Sequence, residues 1–460
     1  MASKNPRIET LRQRLLDTPR GICVERARYL TESYKMTEGE PQPIRFAKAL
    51  RHVLLNMSVT LRDGELIVGC RTSKLKAAPL YPENKSAWIE ENLDGFDERD
   101  VQRVAISESE KQELRDKILP YWRGKTVEDR MNALMPEDLK AEMNKLVFTM
   151  MMEITYGIGH FTMNTSKALE RGLEAIIADA RDAEIRAGSD SEEAHFFRAA
   201  QIACEAAVAF GRRHAEEARR LALRESDPIR RVELEEIAAT CERVPAKPAR
   251  NFREAIQSLY FIQLVAQIES GGNSISAGRI DKILYPFYAC DKKNGAVDAQ
   301  TAQTLVECMF LKLGEIWNVL EETYLPGGEG PEGKTTQNVI VGGMLPDGSD
   351  DSNELTRLIL EAYADLRTVQ PNFGMRINRR TRAITAPWDA SNPIRTARPS
   401  APPLRSSSMR RNVSNSRSIT ASVPFSDFPT VCPAAVCRTI PHTHLFGTHI
   451  RNKLTISFGR

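Results

Sequence analysis

Two glycine-bearing segments carry side chains suited to holding a polar ligand. In YGIGHFTMNTSKALERG (156–172), Gly157 and Gly159 let the chain turn tightly before His160, and helical spacing resumes near Thr165 or Ser166. A histidine at such a bend can donate or accept a hydrogen bond to a ligand. The same pattern fits a buried histidine bonded to a backbone carbonyl. In IESGGNSISAGRID (268–281), Gly271 and Gly272 follow an apolar helix and present Asn273, Ser274 and Ser276 at its end. Short amide and hydroxyl side chains there suit a hydroxylated substrate. An ordinary helix cap and turn would look alike. Neither glycine pattern is a GxGxxG fingerprint, so a dinucleotide is not expected.

Other reactive residue types have weaker settings. Eight cysteines, at 23, 70, 204, 241, 290, 308, 432 and 437, are scattered, mostly in apolar segments. That pattern reads as a reducing cytoplasm and not a disulfide framework. Cys290 and Cys308 read as inert core thiols. Arg279 and Asp281 are spaced to pair with each other. Cys432, Cys437, His442, His444 and His449 could ligate zinc, but their spacings match no usual finger, and no metal site is assigned.

The elements that must position these residues are mainly helices. Ile8, Leu11, Leu15 and Leu16 share one face of a first helix closed by Pro19 and Gly21. Helical spacing recurs over 22–36, 41–57, 108–118, 126–133, 166–182, 193–224 and 229–243. VTLRDGELIVG (59–69) flanks Asp63-Gly64 with β-rich arms, which predicts a hairpin. FREAIQSLYFIQLVAQI (252–268) is apolar nearly all round, so it belongs in a core. PAKPAR (245–250) is a short rigid connector before it. Towards the end, TQNVIVGG (336–343), residues 345–366, which open with turn residues and then give a helix capped by Asp or Ser near Ser352, and QPNFGMRIN (370–378) form a strand–helix–strand unit. Its strands should be parallel neighbours with a right-handed crossover.

Composition sets the limits. The chain has 460 residues, 41% of them apolar, enough for a large core. No apolar run reaches the ~18–20 residues that span a bilayer, and the charged start lacks a signal-peptide core, so no membrane partner is expected. Charge divides the chain. Residues 382–460 hold 11 of the 64 Lys and Arg but 2 of the 61 Asp and Glu, with eleven serines and nine prolines. They read as an aberrant, disordered basic tail after a body over 6–381. Scattered arginines with a single lysine make a poor nucleic-acid arm, so nucleic acid is not an expected partner.

Several blocks of the body share one resemblance. EGEPQPIRFAKAL (38–50), RDGELIVGCRTSKLKAAPLYPE (62–83), ILPYWRGKT (118–126), GIGHFTMNTSKALERG (157–172), residues 249–288 and residues 336–381 occur in the order found in glycyl radical enzymes. These form the pyruvate formate-lyase family, and the likeness is closest to the glycerol dehydratase branch. The resemblance implies an α/β fold, helix-rich, here a partial and truncated ten-stranded β/α barrel. It implies a radical lyase or dehydratase that cleaves a C–O, C–C or other C–X bond of a small polar organic substrate. It also implies a homodimer. The family's cofactor is a protein glycyl radical, installed by a partner activase that uses S-adenosylmethionine and an iron–sulfur cluster. His160 and Ser274 fall where the glycerol dehydratase branch binds substrate hydroxyls. Asn273 stands where that branch has a histidine, which argues against glycerol itself.

The resemblance stops at Thr381. No Gly-Cys-Val-Glu-Pro-type loop and no Arg-Val-x-Gly-type loop occurs in the 460 residues, and Cys432 is followed by Ala434 where a glutamate belongs. No catalytic residue is therefore assigned, no cofactor is expected on this chain, and the chain is expected to be inactive. Formate C-acetyltransferase activity is an alternative, although residues 1–381 lack its adjacent cysteine pair. A non-catalytic remnant is another. A shifted reading frame or a fusion after Thr381 would account for the break.

Overall fold

In a computed structural model of the chain, the described residues are 5–99, 103–144, 157–188, 190–272, 274–319, 335, 337–376, 419–421 and 454–456. Among these no helix is long and apolar enough to cross a membrane. Of the basic tail, only Ile419–Ala421 and Leu454–Ile456 fall within them, as an antiparallel pair. Its cysteines and histidines lie outside the described residues.

The first helix, α1 (Pro6–Asp17), begins where Asn5 accepts from the Arg7 N–H and Pro6 supplies a pre-set φ. Ile8 and Leu15 bury its apolar stripe, while Leu16 stays exposed. The helix expected from residue 22 starts later, because Gly21–Cys23 is a short strand, β1. It is followed by α2 (Glu25–Met36) and α3 (Gln42–Asn56), and β1 pairs in parallel with β2 (Ala77–Pro79). The helix expected over 108–118 divides. Glu108–Glu113 is α-helical and Leu114–Ile118 is a wider π turn, in which Leu119 donates to the Leu114 carbonyl. Pro120 follows at once and cannot donate, so the ladder loosens just before it.

The hairpin expected over 59–69 does not form. Asp63-Gly64 does turn, with the Glu65 N–H donating to the Arg62 carbonyl at 3.2 Å. The arms bond to side chains of other helices instead of to each other. Gln257 takes both backbone groups of Val68 at 2.9 and 2.8 Å, Tyr260 donates to the Gly69 carbonyl, and Arg230 donates to the carbonyls of Glu65 and Arg62. Every backbone polar group needs a partner when buried, but a ladder is only one way to supply it.

Three long helices carry the middle of the chain: α4 (Thr165–Ala187), α5 (Glu192–Ala222) and α6 (Pro228–Arg243). On α5 the buried face is built from Ala199, Ala203, Ala206, Ala207 and Gly211. Such small residues let α3, α4 and α6 pack closely around it. The PAKPAR connector is held by α4: the Leu173 and Glu174 N–H groups donate to the Pro245 and Ala246 carbonyls, both at 2.9 Å. It delivers the chain into α7 (Phe252–Glu269), in which every residue but Arg253 is buried. Each large apolar side chain there contributes roughly 1.5–3 kcal/mol by leaving water.

His214 on α5 is fully buried between the rings of Phe210 and Phe261. Its Nδ1–H donates to the Phe210 carbonyl at 2.8 Å, and Nε2 has no partner. Burial pushes its pKa down from 6.5 to about 4. The unfolded chain therefore takes up a proton as pH drops below about 6.5, while the folded chain refuses it down to about 4. The stability tied to neutral His214 is complete above pH ~6.5 and is lost as pH falls towards 4. It amounts to roughly 3 kcal/mol. Urea unfolding of the wild-type protein and His214→Phe at pH 7 and pH 4.5 measures it. The two should lose stability unequally on acidification, the wild type more.

The last part of the body is a parallel sheet in the order β3–β4–β5, from Gly278–Arg279, Asn338–Gly342 and Asn372–Arg376. Between these strands lie α8 (Ile280–Lys293), which contains Pro286, then α9 (Ala299–Gly314) and α10 (Glu354–Leu366). The expected strand–helix–strand unit is present, with Val339 and Val341 buried. The cap of α10 is Asn353 and not Ser352; it accepts from the Thr356 N–H, and Thr356 Oγ1 accepts from the Asn353 N–H. Arg279 and Asp281 do not pair with each other. Arg279 reaches Asp351 at 2.6 Å, while Asp281 accepts from the Gly342 N–H and Thr356 Oγ1, both at 2.7 Å. Cys308 is buried as expected, but Cys290 is exposed on the solvent side of α8.

Candidate functional site

The two glycine-bearing segments, over a hundred residues apart in sequence, lie against each other. The core helix α7 ends at Glu269, and Ser270 leaves it in extended backbone, followed by Gly271 and Gly272. Ser270 Oγ donates to the Ile158 carbonyl at 3.0 Å, and the Ser276 N–H donates to the Phe161 carbonyl at 2.9 Å. Thr162 and Ser276 form a parallel bridge. The approach is so close that only glycine fits at the crossing. A Cβ on Gly272 would lie 2.0 Å from the Ile158 carbonyl oxygen, and one on Gly157 would lie 2.5 Å from Ser270 Oγ.

His160 and Ser274 sit on either side of this crossing. Each has backbone in the left-handed region, with φ 57° and 59°, although neither is glycine. Such conformations cost about 1–3 kcal/mol each, and they gather where a fixed side-chain direction matters. His160 is exposed and Ser274 half-buried. The Ser274 N–H donates to the Thr335 carbonyl at 2.7 Å, and Ser276 Oγ donates to the Ser274 carbonyl at 3.1 Å. Asn273 lies outside the described residues.

The end of α7 is held by residues that motif reading passed over. Arg26, on α2, donates to the Ile268 carbonyl at 2.6 Å and the Glu269 carbonyl at 2.9 Å, and pairs with buried Glu83 at 2.6 Å. A cation at the carbonyl end of a helix opposes the negative pole of its dipole. Tyr81 OH donates to the Gln267 carbonyl at 2.7 Å and its ring lies 3.8 Å from the Arg26 guanidinium. Asn318 Nδ2 donates to the Gly271 carbonyl at 2.8 Å. A narrow cavity of about 30 Å³ lies here, lined by Tyr81, Asn84, Lys85, Trp88, Gly271 and Asn318. In the sequence, Arg26 on a mixed helix and Asn318 after an apolar one carry no motif, so only the folded chain assigns them.

A second cluster joins the 62–71 segment to the end of α9. The ligand-type atoms of Glu65, Cys70 and Glu315 are within 4.8 Å of one another. Cations occupy the space among them. Lys312 Nζ lies 3.0 Å from Glu65, 2.8 Å from Glu315 and 3.3 Å from Cys70 Sγ, and Arg62 lies 2.7 Å from the same sulfur. Burial pushes the Cys70 thiol up to about 11 despite Lys312, and it raises Glu315 as well. Burial disfavours charge on Lys312, but Cys70, Glu315 and Glu65 outweigh it and hold its pKa well above normal. Two acids balanced by two bases make an ion-pair knot tying the 62–71 segment to α9.

Comparison with known proteins agrees with this architecture. A family described as pyruvate formate lyase-like matches residues 2–384. The chain belongs to the glycyl radical enzymes of that family. It is 33% identical over 412 residues to isethionate sulfite-lyase of Desulfovibrio desulfuricans, covering 85% of this chain and 48% of that protein. It is 32% identical over 387 residues to (2S)-3-sulfopropanediol dehydratase of Klebsiella oxytoca, covering 82% and 47%. Among solved structures, the glycerol-bound B12-independent glycerol dehydratase of Clostridium butyricum superposes with a TM-score of 0.77 at 34% identity, covering 82% of this chain and 48% of that one. The chain thus spans about half the length of these relatives, and its helix-rich body is part of a glycyl radical enzyme barrel.

Proposed function

We propose that the body over 6–381 is the substrate-holding part of a glycyl radical lyase or dehydratase, in which His160 and Ser274 hydrogen-bond hydroxyl groups of a small polar substrate, with Asn273 as a third substrate-binding residue. The supporting observation is the interlock of the two segments, which sets both side chains at one crossing in strained backbone conformations. In the reaction class of this family, a cysteine thiyl takes a hydrogen atom from a substrate carbon. The carbon radical then loses its neighbouring C–O, C–C or C–X substituent, and the thiol returns the hydrogen atom to the product radical. His160 and Ser274 would fix which carbon faces the sulfur. A walled chamber suits this chemistry, because it keeps water and stray hydrogen donors from the radical.

The cysteine loop and the glycyl loop are not in the 460 residues, so the chain alone binds without turning over. The activase and a homodimeric partner belong to the same reading. Calorimetric titration with propane-1,2-diol tests the binding role. Saturable binding is expected, weakened about three- to tenfold by His160→Ala and by Ser274→Ala, the loss of one hydrogen bond each. Binding that both variants leave unchanged would remove these residues from the site.

A further inference from the structure

Independently of that reading, we infer that Cys70 and Lys312 are a site of oxidative cross-linking, in which one oxygen atom from molecular oxygen joins the cysteine sulfur to the lysine nitrogen. The reacting atoms are already in contact. Lys312 Nζ lies 3.3 Å from Cys70 Sγ, although 242 positions separate them in the chain. Both side chains are buried, and Cys70 is in no disulfide. Packing thus holds the pair together, which turns a rare encounter into a local step. Protons have a place to go. The thiol lies 3.6 Å from Glu315 Oε2, and Lys312 Nζ lies 2.8 Å from the same oxygen, so one carboxylate accepts from both reacting groups. Glu65 accepts from Lys312 at 3.0 Å. Arg62, 2.7 Å from the sulfur, favours the thiolate as it forms.

The oxidant has a place to enter. A cavity of about 20 Å³ is bordered by Arg62, Glu65, Lys312 and Glu315, with Leu11 and Leu311 among its apolar walls. Arg62, Lys312 and Glu315 each touch the sulfur. The volume exceeds the ~10–15 Å³ that one water-sized molecule needs. Dioxygen is small and apolar, and such walls admit it. The reaction is a four-electron oxidation. Sulfur and nitrogen each give up two electrons, and dioxygen takes up all four. The S–H bond and two of the three ammonium N–H bonds break, while S–O and O–N bonds form. The second oxygen atom leaves as water with two of the hydrogens, and one proton passes to the carboxylates. Burial keeps the resting thiol protonated, so the bridge forms slowly and needs the adjoining base. Once formed, it removes the charge of Lys312 and leaves Arg62 facing both Glu65 and Glu315.

The test holds the full chain for a long exposure in air-saturated or oxygen-free buffer, then alkylates and digests it without reductant for mass spectrometry. After air, the peptides bearing Cys70 and Lys312 should be recovered joined, at their summed mass plus one oxygen and less two hydrogens. Dithiothreitol should return both unmodified, the oxygen leaving as water. Oxygen-free buffer should give no joined peptide. Cys70→Ser and Lys312→Arg should each abolish it, and if Lys312→Arg fails to fold by circular dichroism, Cys70→Ser decides. Exposure to air in urea should cut the yield about tenfold, because the pair is then no longer held together. Four results overturn the inference: Cys70 still wholly open to alkylation after air, oxygen on Cys70 without a link to Lys312, a disulfide from Cys70 to Cys308, or an equal yield in urea.

Discussion

Lys312→Met should lower the unfolding free energy by about 3–5 kcal/mol, the cost of leaving buried carboxylates without their cation. Glu65 and Glu315 lie 3.0 and 2.8 Å from the Lys312 ammonium, and their side chains are 4% and 14% exposed. Methionine fills the volume of the lysine stem, so lost packing contributes little. The charge left over is the cause. Arg62 remains at 3.5 and 3.6 Å from the same two acids, which keeps the loss from being larger. Urea unfolding at pH 7 measures the effect. Adding Glu315→Gln alone to Lys312→Met should recover most of it, because Glu65 and Arg62 then balance. If Lys312→Met costs under 1 kcal/mol, the knot is not structural.

Gly272→Ala should separate the two segments that carry His160 and Ser274. A Cβ there would meet the Ile158 carbonyl at 2.0 Å and the Gly159 nitrogen at 2.7 Å. Both are backbone atoms, so no side-chain rotation relieves the clash. The expected loss is on the order of 3 kcal/mol, near the upper end for overpacking. Affinity for propane-1,2-diol should fall at least tenfold, since His160 and Ser274 no longer share a crossing. Gly39→Ala is a useful comparison. That glycine, unlike Gly272, has positive φ, but nothing lies within 4 Å of its Cβ position. It should lose only the ~1 kcal/mol of an L-residue in left-handed backbone and keep its binding. Equal affinity losses in the two variants would show that the crossing does not organise the site.

Much of this was readable from residue order alone. Helical spacing located α3, α5 and α6 because their apolar faces are continuous, and Ser191 and Asp227 cap the starts of the last two. The all-apolar run over 252–268 announced its burial. The parallel strand–helix–strand unit followed from short loops between a helix and two β-rich runs. The hairpin failed for a physical reason: Asp63-Gly64 specifies a turn but not where the arms find hydrogen bonds, and Gln257, Tyr260 and Arg230 supply them from far along the chain. The short strands β1, β2 and β3 carry too few residues for any period to show. His160 and Ser274 were identifiable as candidates, but their meeting was not, because it depends on a contact between residues 157–162 and 270–276. Arg26 gave no signal at all, because an arginine on a mixed helix shows nothing of the carbonyls of Ile268 and Glu269 that it holds.

Helix α1 has a consequence for how the protein is made. Its Arg12 Nε donates to the Leu366 carbonyl at 2.7 Å, and Asn5 donates to Thr304. On a ribosome adding roughly 5–20 residues per second, Leu366 emerges about 20–70 s after Arg12. Throughout that interval the stripe of Ile8, Leu11 and Leu15 has no finished seat. A helix synthesised more than 350 residues before its seat is thus among the last to dock, and it is where a nascent-chain chaperone would find a long-lived target.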